Sequence, residues 1–144
     1  AAFIFRKNGL LSLDYTHRNY RNIKFSNGVF TNENQFYQNR LRNTHNYNIG
    51  TEWRFDNFSI RGGYNYEQTP FITNNLDNDS ITNFSDVEGY SFGGGYNFGV
   101  FKVDLAYTNN NRTANYNFYP GFNVDPVSLN IDNRVFTATV SISL

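Results

Sequence analysis

The chain has 144 residues with 12 Lys+Arg against 12 Asp+Glu, so one ordinary domain is expected and the basic footprint of a nucleic-acid binder is missing. It has no cysteine, which excludes a disulfide framework and a thiolate metal site, and no run of about 18 apolar residues, which excludes a transmembrane helix. Aromatics reach 19% against 17% charged residues, and together with abundant Asn, Ser, Thr and Gly this composition points to strands, including strands apolar only at alternate positions.

Residues 1–6, AAFIFR, read as a short apolar strand, and Lys7-Asn8-Gly9 as a tight turn. From Leu10 to about Tyr20 the chain alternates, with Leu11, Leu13 and Tyr15 on one face and Ser12, Asp14, Thr16 and Arg18 on the other. Residues 21–40 are polar, contain Asn-Gly at 27–28 and are expected to be a long loop. The third strand, about Leu41 to Phe55, presents Tyr47, Ile49, Thr51, Trp53 and Phe55 opposite Glu52 and Arg54. Asp56-Asn57 suits a two-residue hairpin turn. The fourth strand, Phe58 to Gln68, sets Phe58, Ile60, Gly62, Tyr64 and Tyr66 against Ser59, Arg61, Gly63, Asn65 and Glu67.

Pro70 and the run TNNLDNDSITN mark a second long loop, 69–87. The fifth strand, GYSFGGGYNF, places Tyr90, Phe92, Gly94, Tyr96 and Phe98 on one face, and Gly99 turns the chain. The sixth shows Phe101, Val103, Leu105 and Tyr107 opposite Lys102, Asp104, Ala106 and Thr108. A third long loop, 109–132, carries NNNR, Pro120-Gly121 and Pro126. In the last strand Phe136, Ala138, Val140, Ile142 and Leu144 face one way, and Val135, Thr137, Thr139, Ser141 and Ser143 the other.

Connections therefore alternate short and long, as in outer-membrane barrels with short periplasmic turns and long extracellular loops. With the C-terminus periplasmic, every short turn lies on one side. Trp53, Phe55, Phe58, Phe98 and Phe101 then form a lipid-interface girdle beside the turns, and Tyr15, Tyr66, Tyr90 and Tyr107 approach the opposite rim. The inward charges are Glu52, Arg54, Arg61, Glu67, Lys102 and Asp104, with Asp14 and Arg18. A basic residue facing lipid near the midplane costs about 2–4 kcal/mol, so these must line a lumen, pairing across strands or meeting a ligand carboxylate. The competing reading is a soluble β-sandwich with the aromatic face as core. Asn-rich amyloid-like or disordered sequence fits the loops but not the strands. Seven strands is an odd count for a closed bacterial barrel, and an open edge in lipid is costly, so the strand-like start at Ala1 suggests part of a larger barrel.

Other chemistry is weaker. Gly89-Tyr90-Ser91-Phe92-Gly93 matches the G-x-S-x-G nucleophile elbow, but both histidines, His17 and His45, precede it and the segment continues as strand. The histidines are expected at the outer boundary and the polar rim, without metal-ligand spacing. Asp77, Asp79, Asp86 and Glu88 could hold calcium or bridge lipopolysaccharide cations, but the EF-hand spacing is missing and a solvated acidic loop is the simpler expectation. No cofactor, metal or catalytic residue is called for.

Three segments, LLSLDYTHRNYRNIKFS, IGTEWRFDNFSIRGGYNYEQTPF and GYSFGGGYNFGVFKVDLAY, together with TATVSISL, resemble the C-terminal half of FadL-like outer-membrane transporters of the Bacteroidetes type. That resemblance implies a fourteen-stranded barrel, of which seven strands would be half, taking up hydrophobic compounds such as long-chain fatty acids. The family's N-terminal hatch has no counterpart here, and Leu144 stands where a terminal aromatic is commonest. Members also serve as structural or accessory subunits of larger outer-membrane machines. The expectation is thus a non-enzymatic outer-membrane barrel for passive hydrophobic uptake, or else a scaffold subunit, or a small unplugged pore. Its partners would be membrane lipid, the remaining N-terminal strands, and possible outer-membrane proteins or lipoproteins.

Overall fold

The computed structural model describes residues 1–6, 8–26, 28–72, 82–116, 118–119 and 124–142. They form an antiparallel sheet of β1 (Ala2–Phe5), β2 (Gly9–Arg18), β3 (Thr44–Phe55), β4 (Phe58–Glu67), β5 (Thr82–Phe84), β6 (Val87–Asn97), β7 (Phe101–Tyr116) and β8 (Val127–Ile142), with one helix, α1 (Thr31–Arg40). Seven of the strands make a meander in the order β1-β2-β3-β4-β6-β7-β8, and the sheet is open, with β1 and β8 at its edges. Fold class is therefore all-β and antiparallel. The three-residue β5 pairs with the far end of β7, so that Phe84 faces Ala114 while Glu88 of β6 faces Asn111. One extra residue between them makes a bulge at 85–87, which bends the β5–β6 edge.

The turns lie where the sequence places them. Asp56 takes a left-handed φ of 48° between β3 and β4, and Gly99 one of 95° between β6 and β7. At the first turn Arg6, with φ of 53°, carries the reversal and Asn8 donates to Phe5 O at 3.3 Å. Lys7 lies outside the described residues, as do Asp77, Asp79, Pro120-Gly121 and Leu144. Short turns and long connections fall at opposite ends of the sheet, because every neighbouring pair is antiparallel.

All three expected loops are more structured than composition suggested: within 69–87, β5 spans Thr82–Phe84 and β6 already begins at Val87. Within 21–40, α1 runs from Thr31 to Arg40, with Glu33 in its first turn and Arg40 in its last, both favourable to the helix dipole. It buries no residue. It is anchored by Asn34, whose side chain accepts from Phe25 N at 2.7 Å and donates to Phe25 O at 3.1 Å, and by Phe25 against Phe30 and Tyr37. Within 109–132, β7 and β8 continue as a paired ribbon up to Tyr116 opposite Val127, and only the residues between them connect.

Most large apolar side chains among the described residues are exposed. Among the described residues only Leu41 and Ala114 are buried and apolar, while Phe92 is 58% and Leu105 60% exposed. No described element packs across either face of the sheet, so no sandwich core forms within these residues. The small polar residues Asn46 and Ser59 are nevertheless 7% exposed on the polar face.

Candidate functional site

Strand alternation delivers the charged side chains to the polar face, and pairing register decides which of them meet. Glu52 of β3 lies opposite Arg61 of β4. Arg61 donates through Nε to Glu52 Oε2 at 2.9 Å and through Nη1 to Asp104 Oδ1 of β7 at 2.8 Å. Arg54 Nε donates to Glu52 Oε1 at 2.6 Å, and Lys102 Nζ lies 2.9 Å from Asp104 Oδ2. Three cations and two carboxylates thus alternate as Arg54–Glu52–Arg61–Asp104–Lys102. Five of the six predicted inward charges join one network. The sixth, Glu67, pairs separately with Arg18 at 3.3 Å, and both of those side chains are half exposed.

Arg61 must cross β6 to reach Asp104, and glycine makes the crossing possible. Arg61 lies opposite Gly93, and Asp104 opposite Gly95. A Cβ on Gly95 would run into the Asp104 carboxylate, and one on Gly93 would stand 2.7 Å from Leu105 O. Gly50 and Gly63 are similarly crowded by the Ser12 and Ser91 hydroxyls on the same face. Two shallow hollows of about 400 Å³ and 340 Å³ flank Arg61, lined by Ser12, Asn48 and Asn65 on one side and by Thr108, Thr137 and Thr139 on the other. Such a surface, hydroxyl- and amide-lined around an ion-paired spine with one excess positive charge, suits water and polar solutes.

The opposite face carries the aromatic residues expected beside the short turns. Trp53 stacks on Phe5 at 6.0 Å and 11°, over Gly9, where a Cβ would approach Trp53 Cζ3 to 2.8 Å. Phe55 pairs with Phe58 across the β3–β4 turn, and Phe98 stacks on Phe101 at 4.5 Å across the β6–β7 turn. At the far ends of the strands sit tyrosines, with Tyr15 5.3 Å from Tyr47 and Tyr107 4.7 Å from Phe136.

Strand β8 shows where this band stops. From Phe136 to Ile142 the residues sharing the aromatic face are Phe136, Ala138, Val140 and Ile142, opposite Tyr107, Leu105, Val103 and Phe101. Beyond Phe136 the same face carries Arg134, Asp132, Asn130 and Ser128, opposite Asn109, Asn111, Thr113 and Asn115. The other face changes in the opposite sense, from Thr139 and Thr137 to Ile131, Leu129 and Val127. Pairing is continuous throughout, so on β8 the aromatic face turns polar and the other face, past Val135 and Asn133, turns apolar without any register slip, while on β7 that other face stays mixed, with Asn110 and Arg112 ahead of Ala114 and Tyr116.

Sequence reasoning missed a second polar centre. Asp86, in the bulge, accepts from Tyr66 Oη at 2.5 Å, from Thr69 N at 2.8 Å and from Arg42 Nη2 at 3.3 Å. It ties the base of the 68–72 segment to β4, which replaces the expected solvated or calcium-holding role at this residue. The isolated bridge Leu41–Phe71 lies beside it. The two histidines, read separately from the sequence, face each other in register; their rings lie 4.9 Å apart, and His45 Nδ1 is 2.7 Å from Tyr15 Oη. Ser91 lies in the middle of β6, so the nucleophile-elbow turn is not formed. No metal-binding cluster of three or more ligands occurs among the described residues, and no helix there is long and apolar enough to cross a membrane.

No family model, curated protein or solved structure matches this chain.

Proposed function

We propose that this chain is part of the wall of a bacterial outer-membrane β-barrel, with its aromatic face on lipid and its ion-paired face on a lumen. The carrying observation is the change of the aromatic face along β7 and β8, apolar from Phe136 to Ile142 and polar from Arg134 to Ser128, which is what a ribbon crossing a solvent boundary would carry. The apolar set from Phe58 to Tyr66 runs about 26 Å at about 3.3 Å per residue. Tilted by about 40°, that is about 20 Å of height, of the order of an outer-membrane apolar band. Further strands would pair the open edges, since an orphaned backbone group in lipid costs several kcal/mol.

Within that wall, the function we favour is passive uptake of hydrophobic compounds such as long-chain fatty acids. Val127, Leu129 and Ile131 support it, since they turn apolar side chains to the inner face above the band, where a solute arriving from outside would be received. The resemblance of the three hairpin segments to FadL-like transporters points the same way. A scaffold subunit without transport is the second reading, supported by the ion-paired face, whose charged and hydroxyl side chains offer an apolar solute no continuous apolar path. Uptake of a fluorescent fatty acid into proteoliposomes separates them. Protein-dependent, saturable uptake that falls on Leu129→Asp supports transport, and uptake equal to that of empty vesicles rejects it.

A further inference from the structure

We infer that His17 and His45 form an open, two-imidazole site for a divalent transition-metal ion of the copper–zinc class, with Tyr15 as a positioning residue. The pair is set by the β2–β3 register alone, whether or not the sheet stands in a membrane. His17 lies opposite His45, and their ring centroids are 4.9 Å apart. Two imidazoles that share one ion at about 2.0–2.1 Å, with an N–metal–N angle between square-planar and tetrahedral, place their centroids about 4.5–5.2 Å apart. The observed separation falls inside that window. Imidazole suits copper, zinc and nickel, whereas magnesium and calcium take oxygen donors.

The two rings are presented differently. His45 is half-buried and held from several sides: its Nδ1 is 2.7 Å from Tyr15 Oη, its ring stacks on Tyr15 at 5.9 Å, and its backbone N–H donates to Gln68 Oε1 at 3.1 Å. With Nδ1–H donating to the Tyr15 oxygen, the free lone pair sits on Nε2, so this hydroxyl sets which nitrogen meets the ion. His17 is exposed and brings the second imidazole from the solvent side. Arg18, the next residue, is turned to the other face by strand parity and pairs there with Glu67 at 3.3 Å, which takes its guanidinium away from the imidazoles. Two protein ligands leave the remaining coordination positions to water or an incoming donor, so the ion is exchangeable rather than structural.

The test uses tag-free protein folded in detergent micelles and titrated with copper(II), which binds such donors more tightly than zinc does. Electron paramagnetic resonance reads the binding, and electron spin-echo modulation counts the coordinated imidazoles. One ion held by two imidazoles is expected for the parent. His17→Gln or His45→Gln should leave one imidazole and weaken binding by about a hundredfold, the gain that two linked donors have over one. Tyr15→Phe should weaken binding about tenfold while two imidazoles stay coordinated, a split that general loss of structure would not give. Far-ultraviolet circular dichroism should be unchanged in all three variants. A single coordinated imidazole in the parent, or affinity unchanged by both histidine substitutions, overturns the inference. The imidazole count of the parent needs no variant and decides alone if a substitution disturbs folding, and unchanged affinity in Tyr15→Phe rejects the role of Tyr15.

Discussion

Leu105→Arg separates a lipid-facing band from a water-facing one by free energy. Leu105 sits mid-band on β7, between Phe101 and Tyr107 at its two rims, and is 60% exposed in the isolated chain. An arginine near the midplane of an outer-membrane barrel costs about 2–4 kcal/mol, and the lost leucine adds about 0.5 kcal/mol. The expected destabilisation is therefore about 3–4 kcal/mol. Asn111→Arg is the internal control: it shares the same face of the same strand, lies above the polarity exchange and stands opposite Asp132. Its effect should stay within about 0.5 kcal/mol. Both are measured by reversible guanidinium titration of protein folded into phosphatidylcholine vesicles, followed by tryptophan fluorescence, to which the sole tryptophan, Trp53, reports. Equal, near-zero effects would refute the reasoning, because a solvent-facing Leu→Arg change costs almost nothing.

Three further outcomes follow from the polar face. Arg61→Met leaves Glu52 and Asp104, 20% and 19% exposed, each short of a charge-assisted bond. Since these carboxylates are only partly buried, a loss of about 2 kcal/mol is expected in the same titration, below the 3–5 kcal/mol of a fully buried pair. The double variant Arg61→Met/Asp104→Asn should lose less than the sum of the two single variants, and strictly additive losses would show that the pair is not coupled. Gly95→Val would drive a side chain into the Asp104 carboxylate and towards Ser59 Oγ, 3.0 Å from the Cβ position, costing about 1–3 kcal/mol. Gly94→Val, one residue away on the other face, should cost less than Gly95→Val, and the opposite ranking would reverse the assignment of faces. Asp86→Ala removes the acceptor of Tyr66, Thr69 and Arg42. It should expose the 68–72 segment to protease with little change in global stability, and unchanged cleavage would count against its tethering role.

Much of the sheet could be read from period-two alternation. Alternation within Leu10–Tyr20, Phe58–Gln68 and 135–142 assigns faces without any knowledge of pairing, and the small or amide residues at 56–57 and 99 give the turns. The ribbon above the band was not legible in the same way. In VSLNIDNR the apolar residues occupy the parity that is polar further along, so a reader tracking an apolar outer face sees the pattern end at Val135 and infers a loop. Alternation continues there in the opposite phase, interrupted at Asn133. Helix α1 escaped notice because TNENQFYQNR has no apolar stripe at helical spacing and buries nothing; its end charges, the Asn34–Phe25 bonds, the Phe25–Tyr37 contact and Arg40 over the Phe36 ring favour it.

For the charged face, membership was legible but geometry was not. Parity alone puts Glu52, Arg54, Arg61, Lys102 and Asp104 on one side. That Arg61 reaches past β6 to Asp104 depends on the register of β4 and β7 against β6 and on two glycines standing between them. Asp86 looked solvated because it falls in an acidic, Asn-rich run, and its three donors come from segments whose approach depends on the bulge. The histidine pair also depends on register: His17 and His45 stand 28 positions apart and meet only because Gly9 aligns with Trp53.

Accessibility of spin labels along neighbouring residues tests the two-solvent geometry most directly. Labels placed singly at Ile60, Val103 and Val140 should collide with oxygen dissolved in the bilayer and be shielded from a water-soluble nickel chelate. Labels at Arg61, Lys102, and at Asn130 above the polarity exchange, should show the reverse. Alternation in phase with the strand, inverting between Val140 and Asn130 on one face of β8, is the predicted result, and equal oxygen collision at all six sites would contradict the account.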